Sequence, residues 1–337
     1  VIRGFAVSKG LVPNSYVEQG NTAQSAGDPP GKFGYISAAL SNGFTVSTTG
    51  SDPADLYSTN ISGDAYVGWN WLAGTAPTAD NSAGAGATPT AGSVKIDGSN
   101  LGSALAGSIA ATRLSANTTA GFSIVTYTGT GANATIAHGL SSAPELIITK
   151  KLDDAGTADS QKWAVGTDKG VDFTDYQVLD TNALPVDDST WWQDTAPTAS
   201  VFSVGSSITP NSSGDDYVAY CFHSVEGYSK VGSYTGNNNA DGTFVYTGFR
   251  TAFLMEHVLT TGVESWSMYD DKRNPYNVEQ ARLQADSALA EASPGPMLDV
   301  VSNGIKWRDS AGYGGNQARD YWYIAFAQSP FKYSNAR

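Results

Sequence analysis

The sequence predicts a mainly β protein of tandem β-sandwich modules, jelly-roll or lectin-like, with one short helix in the last module and an extended linker rich in Gly, Ala, Ser and Thr. Three observations carry this expectation. Charged residues are only 15% of the 337-residue chain while Gly reaches 37, a composition of short strands and tight turns rather than long helices. An aromatic phrase occurs three times, as "DAYVGWNWLAG" from Asp64, "DYVAYCFHSVEG" from Asp216 and "DYWYIAFAQSPF" from Asp320, and we align Tyr66, Tyr217 and Tyr323 in register. A second strand-like phrase precedes each copy: "NGFTVST" at 42–48, "SVFSVGS" at 200–206 and "NGIKWRD" at 303–309.

Residues 1–73 hold only the second half of this pattern and read as a partial N-terminal β module. In its last phrase Val67, Trp69 and Trp71 alternate with Tyr66, Gly68 and Asn70, the period of a strand with apolar residues on both faces, which suits a central position. Residues 74–121 contain few large apolar side chains and read as a linker or arm that has to lie along another surface. Within it Asp97-Gly98 predicts a two-residue hairpin turn.

Residues 122–230 and 231–337 are two full repeats. Tyr127-Thr128-Gly129 matches Tyr234-Thr235-Gly236, Gly139-Leu140 matches Gly248-Phe249, and Trp163 matches Trp266. The Asp153–Gln161 loop is about six residues longer than its counterpart, as surface loops tolerate. The one helix expected runs from Val278 to Leu289, with Val278, Ala281, Ala285 and Leu289 on one stripe, Asn277 as its cap and Ser293-Pro294-Gly295-Pro296 as its stop.

The net charge, 19 − 32 = −13, and the absence of any basic cluster longer than Lys150-Lys151 argue against nucleic acid. The lone Cys221 excludes an internal disulfide and a cysteine-based zinc site. No apolar run reaches membrane-spanning length and the start lacks a signal-peptide core, so neither insertion nor secretion is expected. We read His138, His223 and His257 as structural, and the doublets Asp153-Asp154, Asp187-Asp188, Asp215-Asp216 and Asp270-Asp271 as turn residues, since neighbours in a strand face opposite ways. "NNNADGT" at 237–243 lacks the acidic end of a calcium loop and reads as a hairpin turn. No catalytic residue, metal or cofactor is expected. The candidate contacts for a ligand or partner are Trp191 and Trp192, one of which a strand exposes, and Tyr313 in a Gly-rich loop.

Taken together, "GFSIVTYTGTGANATIAHGLSSAPELIITK", "DDSTWWQDTAPTASVFSVG", "YVAYCFHSVEGYSKVGSYTGNNNADGTFVYTGFR", "MYDDKRNPYN" and "YIAFAQSPFK" resemble repeated modules in large structural proteins of tailed phages, many from marine bacteria. The resemblance implies a non-enzymatic virion protein, a tail fibre or tail-associated surface protein presenting loops for host attachment. It implies a homo-oligomer, with a trimer favoured, touching other virion proteins and host surface glycan or protein. Other readings are a capsid- or tube-decorating protein, a carbohydrate-binding adhesin module and a polysaccharide depolymerase.

Overall fold

The computed structural model describes residues 10–12, 15–17, 35–40, 43–47, 66–152, 161–287, 291–293, 295–310 and 312–330. The N-terminal region contributes two hairpins, β1 (Gly10–Val12) with β2 (Ser15–Val17) and β3 (Tyr35–Leu40) with β4 (Gly43–Ser47). Short strands dominate everything that follows, as the composition predicts.

The first repeat contains β5 (Val94–Ile96), β6 (Ser99–Asn100), β7 (Arg113–Asn117), β8 (Phe122–Thr128), β9 (Ala134–Ala137), β10 (Leu146–Lys151), β11 (Trp163–Thr167), β12 (Asp175–Val178), β13 (Val186–Asp187), β14 (Val201–Val204) and β15 (Asp216–Phe222). Nine of these form one sheet in the order β13-β12-β11-β10-β15-β8-β7-β5-β6, and β14 with β9 forms a second. The second repeat contains β16 (Ser229–Thr235), β17 (Phe244–Tyr246), β18 (Thr251–Val258), β19 (Ser267–Asp270), β20 (Leu283–Gln284), β21 (Leu298–Val301), β22 (Gly304–Trp307) and β23 (Asp320–Ala327). Its sheets run β16-β23-β18-β19-β20 and β17-β22-β21. The order β12-β11-β10-β15-β8 is thus repeated as β20-β19-β18-β23-β16.

The ladders also correct the alignment of the phrases. Tyr217 pairs with Tyr127, and its counterpart Tyr321 pairs with Tyr234, so Tyr321 and not Tyr323 stands in the Tyr217 register. Ala325 then matches Cys221. The tyrosines at 321 and 323 are two apart, so either choice preserves which side chains face each way, and period alone could not separate them.

The two repeats stack their large sheets face to face. In β15, Tyr217, Ala219 and Cys221 enter the core of the first repeat, while Val218, Tyr220 and Phe222 enter a core shared with the second. In β23, Trp322, Ile324 and Phe326 meet them there, and Tyr323 and Ala325 turn into the core of the second repeat. Strands apolar on both sides are therefore buried on both sides. Two indoles bond across this junction: Trp322 Nε1 donates to Gln177 Oε1 at 2.7 Å, and Trp266 Nε1 donates to the Thr181 and Val178 carbonyls at 2.8 and 3.2 Å.

Three sequence expectations are corrected. The helix over Val278–Leu289 does not form in its described part. Glu279 N–H donates to the Leu298 carbonyl and Arg282 N–H to the Ala292 carbonyl, and β20 extends the large sheet. A narrow Ala-rich stripe offers little helix stability, and strand partners at hand outweigh it; Leu289 itself lies outside the described residues. The helices that do occur among the described residues are single turns of the first repeat, α1 (Ser189–Trp192) and α2 (Ile208–Asn211).

The segment 74–121, expected as a linker or arm lying along another surface, does lie against the first repeat but as part of its sheet. Its strands β5 to β7 join the nine-stranded sheet, with β5 parallel to β7 and β7 antiparallel to β8. The Asp97-Gly98 turn closes β5 onto β6 with both residues at positive φ, 48° and 85°. The phrase around Tyr66 is not a sheet strand. It runs extended without a ladder, Trp69 and Trp71 half-buried against Phe253 and Phe326 while Tyr66 and Leu72 are exposed. Its alternation is real, but the partner is the shared core rather than a neighbouring strand.

Candidate functional site

What the repeats conserve is a corner clamp. Tyr127 and Tyr217 stack with centroids 5.3 Å apart, and Tyr234 and Tyr321 stack at 5.2 Å. The Tyr127 hydroxyl donates to the Pro210 carbonyl and the Tyr234 hydroxyl to the Gly315 carbonyl, both at 2.6 Å. Thr128 Oγ1 bonds Asp216 Oδ1 at 2.7 Å, matched by Thr235 Oγ1 and Asp320 Oδ1 at 2.6 Å.

At the centre of each corner lies a buried amide. Asn211 Nδ2 donates to the Ala132 and Gly205 carbonyls, both at 2.7 Å, while Oδ1 accepts from Thr130 N–H at 2.8 Å. Asn316 Nδ2 donates to the Asn239 and Asp309 carbonyls at 2.9 and 2.7 Å, and Oδ1 accepts from Asn237 N–H. Gly129 and Gly236 complete the pattern, because a Cβ at either would overlap the backbone beside its Asn. Thus Tyr-Thr-Gly, Asn and Asp-Tyr form one structural unit, made twice, and the aspartates serve as turn acceptors.

The repeats diverge beneath the loop at 308–319. Thr149, Ala164 and Gly166 of the first repeat correspond by ladder position to Glu256, Ser267 and Tyr269 of the second. In the first repeat Phe173 and Trp192 pack over Gly166. In the second, Glu256, Ser267 and Tyr269 are all buried. A Cβ on Gly314 would stand 3.2 Å from both Ser267 Oγ and Tyr269 Oη and 3.3 Å from Arg282 Nη1, so these polar groups converge under the glycines that display Tyr313. Beside them the Tyr321 hydroxyl donates to Glu264 at 3.0 Å and Arg319 Nη1 donates to the same carboxylate at 2.5 Å.

Burial dominates the electrostatics of this cluster. It pushes the Glu256 carboxyl well above the ordinary carboxylate range, with Glu264 adding to the rise. Burial likewise raises the Tyr269 and Tyr321 hydroxyls, which stay protonated. The arrangement can donate and accept hydrogen bonds, and it holds neither a depressed-pKa nucleophile nor a histidine base.

Of the expected contact residues, the fold removes two. Trp191 and Trp192 are only 6% and 1% exposed. They lie on helix α1 rather than a strand, and a helical turn can bury consecutive residues that a strand would separate. Trp191 stacks on Tyr176 at 3.6 Å, and Trp192 meets Phe173 edge-on. Tyr313 is 48% exposed, with its N–H held by Asp309 Oδ2 at 2.9 Å. Sequence reasoning missed Phe244 and Tyr246, which are 46% and 58% exposed on β17; their alternation around buried Val245 was a visible signal.

His138 and His257 are buried. His138 Nδ1 accepts from Leu140 N–H at 3.1 Å, and His257 stacks on Trp266 at 4.1 Å. His223 is half-buried, its Nδ1 2.9 Å from the Ser224 carbonyl. Among the described residues no three His, Cys, Asp or Glu side chains group as a metal site, and no helix is long and apolar enough to cross a membrane.

No curated protein and no solved structure matches the chain. A family profile does match, over residues 95–330, beginning at β5 and therefore including much of the segment whose composition reads as a linker. By that match the chain belongs to the DUF7483 family, a domain of unknown function.

Proposed function

We propose that this chain is a virion structural protein of a tailed phage, a tail-fibre or tail-associated protein whose stacked modules hold loops toward a host surface. The observation that carries the reading is the pairing of two copies of one fold through a shared apolar core, with their clamps kept alike and their loops different. A scaffold of this kind fixes loop positions while leaving loop chemistry free to change. The phrases that resemble tail-associated modules include the Tyr-Thr-Gly segment of both clamps, and the acidic charge fits a surface that has to stay dispersed in water.

Immunogold electron microscopy of particles tests the reading. Gold at the tail or its fibres is the expected result, and gold along the capsid or tube favours a decorating protein instead. A second reading, glycan binding, is favoured by Tyr313, whose ring stands half-exposed on a glycine-rich loop above the buried polar cluster. Glycan-array binding lost in Tyr313→Ala with an unchanged melting curve would support it.

A further inference from the structure

Strand β18 carries an irregularity that β10 of the first repeat lacks. Thr251 pairs with Ala327 while Phe253 already pairs with Phe326, so Ala252 is an extra residue, a β-bulge. The ladder of β10 with β15 runs from Leu146 to Lys151 without a shift. The bulge turns Thr251 over. Unbroken alternation would set it on the side of Phe253, in the shared core; instead it faces as Ala327 does, into the core of the second repeat.

A carboxyl reaches the same core from another segment. Glu279 forms an antiparallel bridge with Leu298, its N–H donating to the Leu298 carbonyl at 2.8 Å. Residues opposed in this way put their side chains on one side, so Glu279 enters the core that Leu298 enters. In the first repeat the corresponding position is apolar: Phe173 stands as far ahead of Val178 as Glu279 does ahead of Gln284, and Val178 and Gln284 pair with the equivalent residues Ala164 and Ser267. Thr251 and Glu279 are only 3% and 2% exposed, and Thr251 Oγ1 and Glu279 Oε1 have no hydrogen-bond partner among the described residues. Both residues line one cavity of about 10 Å3, together with Leu254, Leu298, Val300 and Ile305.

Asp270 and Asp271 reach this cavity too, but with their oxygens engaged. Asp270 accepts from the Lys272 and Arg273 N–H groups and from Arg273 Nε at 2.6 Å. Asp271 is held by Lys272 Nζ at 3.1 Å and Gln328 Nε2 at 2.7 Å. A hard cation takes roughly six or more oxygen ligands, more than stand unengaged here. A water takes about two to four polar partners and about 10–15 Å3, which the cavity supplies. We propose that this cavity is a binding site for one water molecule, held between the Thr251 hydroxyl and the Glu279 carboxyl. Each of those groups, left dry, carries its full desolvation cost; the water removes both costs at once. It also ties the large sheet of the second repeat, through Thr251, to the bridge on β21 of the small sheet, at a place where the first repeat uses an aromatic ring. This inference is independent of the virion reading.

A high-resolution crystal structure of the full chain tests the site directly. The expected result is one water peak within hydrogen-bond distance of both Thr251 Oγ1 and Glu279 Oε1. A double-mutant cycle in urea, at about pH 6 and so below the range in which Glu279 ionises, supplies the second measurement. Thr251→Val should lower the folding equilibrium constant about tenfold in the parent chain. Beside Glu279→Leu, where the water has already lost its other anchor, the same change should lower it by less than about twofold. A cavity without density, a direct Thr251 to Glu279 hydrogen bond, or a peak with the anomalous signal of a cation overturns the proposal. So does a melting temperature raised by calcium chloride in the parent but not in Glu279→Gln, or a Thr251→Val cost that is the same in both backgrounds.

Discussion

If the buried amides hold the two corners, removing either one should cost far more than an ordinary surface change. Asn211 is fully buried and satisfies three main-chain groups, at 2.7, 2.7 and 2.8 Å. Asn211→Ala leaves the Gly205 carbonyl and the Thr130 N–H without this partner, each such group costing roughly 1–3 kcal/mol, and leaves the Ala132 carbonyl only Thr130 Oγ1 at 3.1 Å. Water entering the vacated space recovers part, so the expected loss is about 3–4 kcal/mol. With a denaturant slope of about 3 kcal/mol per molar, the urea midpoint falls by about 1 M. Asn316→Ala, with two bonds of 2.9 and 2.7 Å and weaker ones to Asn237 and Thr243, should fall by a similar amount. Asn239→Ala, on the exposed face of the loop, should shift stability by less than about 0.5 kcal/mol. Equilibrium unfolding in urea followed by tryptophan fluorescence measures all three. A loss under about 1 kcal/mol at either buried site, or a large loss at only one, would refute the claim that both corners are held by the same amide.

Three further outcomes follow from the same structure. Trp322→Phe deletes the donor to buried Gln177 Oε1 and should cost about 2 kcal/mol, read as a fall in melting temperature. Burial holds His257 down to about 3, so the folded ring is neutral and the unfolded ring takes up its proton first as pH falls below about 6.5; its contribution is present above that pH and is lost toward pH 3. His257→Phe should therefore flatten the acid limb of stability against pH by close to one proton, seen in urea midpoints at pH 6, 5 and 4. Glu279 behaves oppositely: burial, aided by Asp270 and Asp271 and opposed by Arg273, lifts it to about 8, so its contribution is present below about 4.5 and lost as pH rises through 8. Glu279→Gln should leave stability at pH 4 unchanged and raise it at pH 9, and a variant weaker than the parent at pH 9 would contradict this.

The large sheets were legible in the sequence because alternation and the Tyr-Thr-Gly, Trp and Asp-Tyr matches are local signals. Trp163 and Trp266 do correspond, and each backbone N–H is held by an aspartate, Asp180 or Asp286. What local pattern could not show is which partner an extended segment takes. The Trp69 and Trp71 phrase has strand periodicity, yet its rings settle on Phe253 and Phe326. Segment 74–121 lacks bulk, but Leu105, Ile109 and Leu114 are enough to seat it in the first core. Trp191 and Trp192 were misjudged because one turn of helix, capped by Asp188, replaced the assumed strand. The cluster around Glu256 was invisible, since its members are distant in sequence and meet only through ladder pairing.

The shared core also limits how such a protein can change. An interior face normally shields a module from its neighbours' history, but here Val218, Tyr220 and Phe222 answer to Trp322, Ile324 and Phe326. Excising one repeat would strip the other of its cover and leave a broad apolar sheet open to aggregation. Inheritance should therefore treat the two repeats as a single cassette, moved or lost together. Loop exchange between relatives can proceed freely at the rim, while substitutions at the junction have to arrive in compensating pairs.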